Sequence, residues 1–132
     1  MELTKEYVKK LVNEMERYKK VIHDDFSHPT IKLSDFVYTI SKLCKLNNYI
    51  VCTAYTNIYR NVINNTFTYS TGTSYRLWSV SLLICSKYLV DIPVGNRKWA
   101  KLLRMDIDML NSMEIEFLKS VDWRIHRIIP IK

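Results

Sequence analysis

One stretch of the chain carries apolar or small side chains on every side of the helix that it predicts. Between Leu77 and Cys85 the sequence reads Leu-Trp-Ser-Val-Ser-Leu-Leu-Ile-Cys, with no charged residue. A helix that has no polar face to present to water must be covered by other elements all round. Its serines are small, so neighbouring helices can approach it closely. The stretch therefore predicts the central helix of a bundle.

The rest of the chain also favours helices. Its 132 residues include only two glycines and three prolines, and 48% of them are hydrophobic. This length suits one domain with a fair core, and this composition is typical of a folded, helical protein rather than a disordered one. We expect an all-α fold of five helices preceded by an additional N-terminal helix.

A division of the chain is predicted near Pro29. Residues 1–28 read as an accessory helix and linker, because an apolar stripe is followed by Pro29, which disfavours helix at the preceding residue. The stripe consists of Val8, Leu11, Val12, Met15, Tyr18 and Ile22. Residues 29–132 read as the main domain. Within it, Ser34 is the expected N-cap of the first helix, and the polar stretch 68–73 is expected to be a loop.

Two charges occupy positions where helical spacing calls for apolar residues. Lys87 continues the apolar series of the central helix, and Glu114 lies four residues from both Leu110 and Leu118 in the last predicted helix. Three interpretations are open. The heads reach water while the stems cover apolar surface, the two residues form an ion pair between helices, or both stand in an apolar patch that another protein covers.

Composition and motifs exclude several function classes. Cys44, Cys52 and Cys85 fall at apolar or semi-apolar helical positions without a C-x-x-C pair, so we expect reduced core thiols in an intracellular protein of the nucleus or cytoplasm. No apolar run is long enough to span a bilayer, and no glycine-rich phosphate loop or catalytic motif occurs. We expect no enzyme activity, no metal, no cofactor, no small-molecule substrate and no membrane.

Four segments in order resemble the cyclin family. They are Ser86-Lys-Tyr-Leu-Val-Asp91, Asn96-Arg-Lys-Trp-Ala-Lys-Leu-Leu103, Met109-Leu-Asn-Ser-Met-Glu-Ile-Glu-Phe-Leu118 and Val121-Asp-Trp-Arg-Ile125. More narrowly, they are similar to the single-box fungal cyclins of the Pcl and phosphate-pathway group, whose entry to the first box helix the upstream Pro29-Thr-Ile-Lys-Leu33 also matches. Several linked motifs in the correct order are more specific than any one of them.

The resemblance implies a five-helix cyclin box that binds and activates a cyclin-dependent serine/threonine kinase. Cyclins hold the kinase C-helix in its active position and have no catalytic chemistry of their own. By the family pattern, Lys87 and Glu114 hydrogen-bond to kinase backbone beside that helix. The apolar patch around them is expected to consist of Ile84, Tyr88, Leu118, Trp123 and Ile125. Whether the role concerns the cell cycle or phosphate signalling stays open.

Asp91 has two interpretations of similar weight. It matches the aspartate that, in the phosphate-pathway cyclins, pairs with a kinase arginine near the activation loop in place of an activating phosphate. Alternatively, it only ends a helix close to Pro93.

Two other functions compete with kinase activation. The net charge of +7 would suit a cyclin-fold module that binds nucleic acid. Its basic residues near the box are spread over several predicted helices, so nucleic acid is not the expected partner. A scaffold that binds a kinase without activating it is the remaining alternative.

Overall fold

The chain folds into a bundle of helices. The computed structural model describes residues 2–20 and 29–121, and these form six α-helices and no strand. The predicted all-α class is confirmed. The helices are α1 (Lys5–Met15), α2 (Leu33–Leu43), α3 (Asn48–Ile63), α4 (Thr71–Leu89), α5 (Asn96–Leu103) and α6 (Ile107–Ser120), with a short 3-10 turn, Glu16–Tyr18, after α1.

The predicted central helix is α4. Every residue from 77 to 86 is buried, and α4 contacts α2, α3, α5 and α6. Ser81 is fully buried and donates a hydrogen bond to the carbonyl of Ala54 in α3, with 2.9 Å between Oγ and oxygen. Because serine and alanine are small, α3 and α4 can pack close together, and the serine hydroxyl is satisfied without water.

The start of α4 corrects the predicted loop at 68–73. Ser70 caps the helix by accepting from the Thr73 amide at 3.2 Å, and the Thr73 hydroxyl accepts from the Ser70 amide at 2.9 Å. This reciprocal capping box satisfies two amides that would otherwise lack partners. The helix therefore begins at Thr71, within the stretch that its polar composition assigned to a loop.

The N-cap predicted for α2 is also wrong in position. The N-cap position is Lys32, whose side chain makes no capping hydrogen bond, α2 begins at Leu33, and Ser34 is buried inside the first turn. The side chain of Leu33 is buried as part of the helix, so α2 begins before the predicted cap residue. Side chains do cap α3 and α6: Asn47 accepts from the Ile50 amide at 3.0 Å, and Asp106 accepts from the Asp108 amide at 2.7 Å.

Helix α1 packs against α2 and α3 through its predicted apolar stripe. Val8, Leu11, Val12 and Met15 are all buried there. The helix ends at Met15, earlier than the stripe predicted, so Tyr18 lies in the 3-10 turn, and Ile22 lies outside the described residues. Beyond α1, the amide of Lys20 donates to the carbonyl of Tyr69 at 2.8 Å. The division near residue 29 stays a prediction, and residues 21–28 lie outside the described part of the chain.

The cysteines of the core are free thiols. Burial raises the pKa of the Cys85 thiol to about 12 and that of Cys44 to about 11. Both thiols therefore stay protonated at neutral pH. Over the described ranges, no helix is both long and apolar enough to cross a membrane.

Candidate functional site

The two unusual charges form an ion pair between α4 and α6. Lys87 lies in the last turn of α4, and its Nζ is 2.7 Å from Oε2 of Glu114. The Lys87 side chain is 34% exposed and that of Glu114 is 13% exposed. Of the three interpretations left open by the sequence, the ion pair is therefore present. Lysine also suits the end of α4, where backbone carbonyls carry partial negative charge.

Two asparagines complete the surroundings of Glu114. The side-chain amide of Asn96, the first residue of α5, donates to Oε1 of Glu114 at 2.9 Å and to Oδ1 of Asn111 at 2.7 Å. Asn111 lies one turn before Glu114 on α6. Each carboxylate oxygen of Glu114 thus has its own donor, and the carboxylate is held in one orientation between three helices.

The pair keeps capacity for a partner on the open side. An ammonium group has three donors and Glu114 engages one, while a carboxylate offers about four acceptor positions, of which two are used. Lys87 is the more exposed of the two and can donate to carbonyls of another protein. Glu114 is mostly covered and chiefly fixes the direction of Lys87.

Three exposed apolar side chains lie close to Lys87 or Glu114 in the sequence. Tyr88, next to Lys87, is 57% exposed, and Ile92, in the turn after α4, is 88% exposed. Ile115, next to Glu114, is 48% exposed. We call Lys87, Tyr88, Ile92, Glu114 and Ile115 the pair surface. It combines the ion pair with exposed apolar side chains.

The predicted apolar patch is distributed differently from the sequence expectation. Tyr88 lies on the surface, but Ile84 is fully buried and Leu118 is only 9% exposed, so these two belong to the hydrophobic core. Ile84 cannot belong to a surface patch in this conformation, because α4 is covered on all sides up to Ser86. Trp123 and Ile125 lie outside the described residues.

Asp91 is exposed in the bend that follows α4. It makes no ion pair with any residue of the described ranges, so its carboxylate is available to a cation from outside. It also follows directly after the C-cap residue Val90, which fits the simpler interpretation of a helix end.

Sequence reasoning missed Asn96, Asn111 and Ile92. The two asparagines lie 15 residues apart and meet only because α5 packs on α6. Their presence in two of the quoted segments was the available signal. For Ile92, the signal was its position next to Pro93 in a predicted turn, where an aliphatic side chain does not belong to the buried face of a helix.

A groove lies on a part of the molecule that does not include the ion pair. It has a volume of about 750 Å³, and its lining includes Phe36, Tyr75, Leu103, Met105 and Met109, but neither Lys87 nor Glu114. Over the described residues, no cluster of histidine, cysteine, aspartate or glutamate suits a metal ion. The ion pair lies on an open surface, which suits a protein partner better than a small molecule.

Comparison with known proteins identifies the family. The family model described as Cyclin matches residues 3–125, nearly the whole chain. The chain belongs to the cyclin family. The match to cyclins takes in α1 as well as α2 to α6.

A curated cyclin gives a second, weaker likeness. Cyclin-U2-1 of Arabidopsis thaliana is 28% identical over 99 residues, which make up 74% of this chain and 45% of that protein. The chain thus spans less than half the length of this relative.

Proposed function

We propose that this cyclin binds a cyclin-dependent serine/threonine kinase and activates it by holding the kinase C-helix in its active position. The observation that carries the proposal is the pair surface, which combines an oriented Lys87–Glu114 ion pair with exposed apolar side chains. The family match supports a regulatory rather than catalytic role.

The mechanism follows from how kinases switch. A kinase is active only when a strand lysine pairs with a glutamate on its C-helix, and the C-helix exists in active and inactive positions. A partner that contacts only the active position shifts the population toward it by its difference in binding free energy. The pair surface offers such contacts, because Lys87 can donate to backbone carbonyls at the end of the C-helix while Tyr88 and Ile92 pack against apolar side chains.

Each group of the pair surface has a separate part in this proposal. A hydrogen bond to a charged group contributes about 1.5–3 kcal/mol, so Lys87 alone can change kinase affinity by tenfold or more. Glu114 holds Lys87 and accepts from kinase amides with its free positions. Leu118 and Ile84 belong to the hydrophobic core, and Trp123 and Ile125 are proposed to extend the apolar contact.

Asp91 is proposed to act on kinase activity rather than on affinity. Its exposed carboxylate can receive a kinase arginine near the activation loop, in the position that an activating phosphate would take. We also propose that the protein belongs to the single-box fungal group and acts in the cell cycle or in phosphate signalling. Its proposed location is the nucleus or the cytoplasm.

A pulldown of cyclin-dependent kinases from the source cell tests the proposal. The baits are the wild-type protein, Glu114→Ala and the control Glu116→Ala, since Glu116 is an exposed carboxylate on the same helix. The proposal predicts that the wild type and the control capture an active kinase and that Glu114→Ala captures much less. Capture of an inactive kinase by the wild type would make the protein a scaffold. Failure to capture any kinase would contradict the proposal.

A nucleic-acid-binding module is the second candidate, favoured by the basic surface of α5. Arg97, Lys98, Lys101 and Arg104 are all exposed on or directly after this helix and have no ion pair with any described residue. Contacts from four cations would give a log–log salt dependence with a slope of about −3.6 on duplex DNA. Binding to a duplex with this slope, abolished by neutralising the four residues, would support this candidate.

A further inference from the structure

Asn96 is the residue on which the orientation of Glu114 depends. Its amide nitrogen contacts Oε1 of Glu114 at 2.9 Å and Oδ1 of Asn111 at 2.7 Å, while Lys87 takes the other carboxylate oxygen. The orientation of the Asn96 amide is fixed by chemistry. A carboxylate only accepts, so the atom of Asn96 that faces Glu114 must be the donor nitrogen.

The other end of the Asn96 side chain is not used. Its Oδ1 is buried and has no hydrogen-bond partner among the described residues. A buried acceptor without a donor is unfavourable, which offsets part of what the two hydrogen bonds of Nδ2 contribute to stability. What the asparagine does provide is a neutral double donor at the one point where α5, α6 and the ion pair from α4 meet.

We infer that Asn96 is a positioning residue of the kinase-binding surface, and this inference rests on the proposed function. By holding Oε1 of Glu114, Asn96 keeps Oε2 on Lys87, so that Lys87 points its remaining donors outward. Asn111 fixes Asn96 in turn. The pair surface of α4 and α6 therefore depends on the docking of α5, which itself need not touch the kinase.

The variant Asn96→Asp separates positioning from folding. Aspartate has the shape of asparagine and is favourable at the first turn of α5, because it interacts well with the helix dipole. It also replaces the donor that faces Glu114 with a second negative charge. We expect a folded protein whose affinity for the captured kinase is about tenfold lower, the lower end of what a hydrogen bond to a charged group contributes.

The control Thr71→Asp adds the same charge at the matching position of another helix. Thr71 is exposed and is the first residue of α4, at the opposite end of that helix from Lys87. We expect its affinity to stay within about twofold of the wild type. A tenfold loss for this control would mean that negative charge alone weakens binding, and the inference would be overturned.

A double-mutant cycle tests whether Asn96 acts through Glu114. In a Glu114→Gln background the neighbouring side chain can donate, so Asn96→Asp no longer creates a repulsion. We expect Asn96→Asp to change kinase affinity by less than about twofold there, against about tenfold in the native background. Equal losses in the two backgrounds would show that Asn96 acts independently of Glu114 and would overturn the inference.

A measurement without kinase separates this inference from the proposed function. In nitrogen-15 NMR spectra of the free protein, both side-chain amide protons of Asn96 should exchange slowly, and Glu114→Ala should make one of them exchange fast. If Glu114→Ala leaves both protons unchanged, the contact is absent in solution and the inference fails even where a kinase binds. A positive result supports the geometry even if no kinase is captured.

Discussion

The inner part of α4 and its last turn have opposite chemistry, although they belong to one continuous helix. From Leu77 to Ser86 the helix carries no charge, and its serines donate to nearby backbone carbonyls, as Ser81 does to that of Ala54. At Lys87 the same helix presents a charge that pairs with Glu114 on another helix. The inner part thus holds the bundle together, while the end is available for recognition.

The difference teaches how a small bundle separates stability from binding. An inner residue has no contact with solvent, so its change affects the free energy of unfolding first. A residue of the pair surface keeps part of its contact with solvent in the folded protein, so its change should affect the free energy of binding first. Each of the following variants tests this separation.

Trp78→Ala should have the largest effect on stability. Trp78 is fully buried and donates to the Tyr69 hydroxyl at 3.0 Å, so its truncation leaves a cavity and an unpaired buried hydroxyl. We expect the free energy of unfolding to fall by about 3–5 kcal/mol, measured by urea denaturation. Trp78 lies about 13 Å from Lys87 along the helix axis, so the fraction that stays folded should bind kinase normally. A folded fraction with weak affinity would contradict the separation.

Lys87→Ala should weaken kinase binding more than it weakens the fold. The Lys87 side chain is partly exposed, and the mostly covered Glu114 keeps its hydrogen bond from Asn96, so we expect the free energy of unfolding to fall by about 1–2 kcal/mol at most. Kinase affinity, measured by calorimetry, should fall by about tenfold or more. Lys42→Ala is the control, since Lys42 is an exposed lysine on α2, which contributes no residue to the pair surface. Unfolding of the Lys87 variant would show that the ion pair is structural.

Ile92→Ser should have a smaller effect on binding and almost none on stability. Ile92 is 88% exposed, so the free energy of unfolding should stay within about 0.5 kcal/mol of the wild type. Covering part of this side chain in a complex contributes about 1 kcal/mol, which predicts a kinase affinity about fivefold lower. Unchanged affinity would place Ile92 outside the interface.

Asp91→Asn should change affinity least. Asp91 is exposed and makes no ion pair within the described part of the chain, so the fold should stay as in the wild type, and losing one exposed contact with a kinase arginine should lower affinity only slightly. The loss of an anion near the activation loop should lower kinase activity at saturating cyclin. The assay is phosphate transfer to a peptide at saturation. Equal activity of variant and wild type would leave Asp91 as a helix end only.

Sequence alone predicted the parts that depend on helical periodicity. The burial of α4 followed from side chains without charge on any face, and the ion pair was one of three interpretations of two misplaced charges. The start of α4 was missed because polar residues form both loops and caps, and only the geometry of Ser70 and Thr73 distinguishes them. The role of Asn96 could not be predicted, because it depends on how closely α5 approaches α6.

The most direct test compares unfolding and binding for one variant, Glu114→Ala. Free energies of unfolding from urea denaturation and of kinase binding from calorimetry are measured for wild type and variant. Since Lys87 can turn to water and Asn96 keeps its bond to Asn111, we expect a stability loss below about 1 kcal/mol. The expected binding loss is about 1.5–3 kcal/mol. A stability loss larger than the binding loss would contradict the account, because the pair would then hold the fold together rather than recognise a kinase.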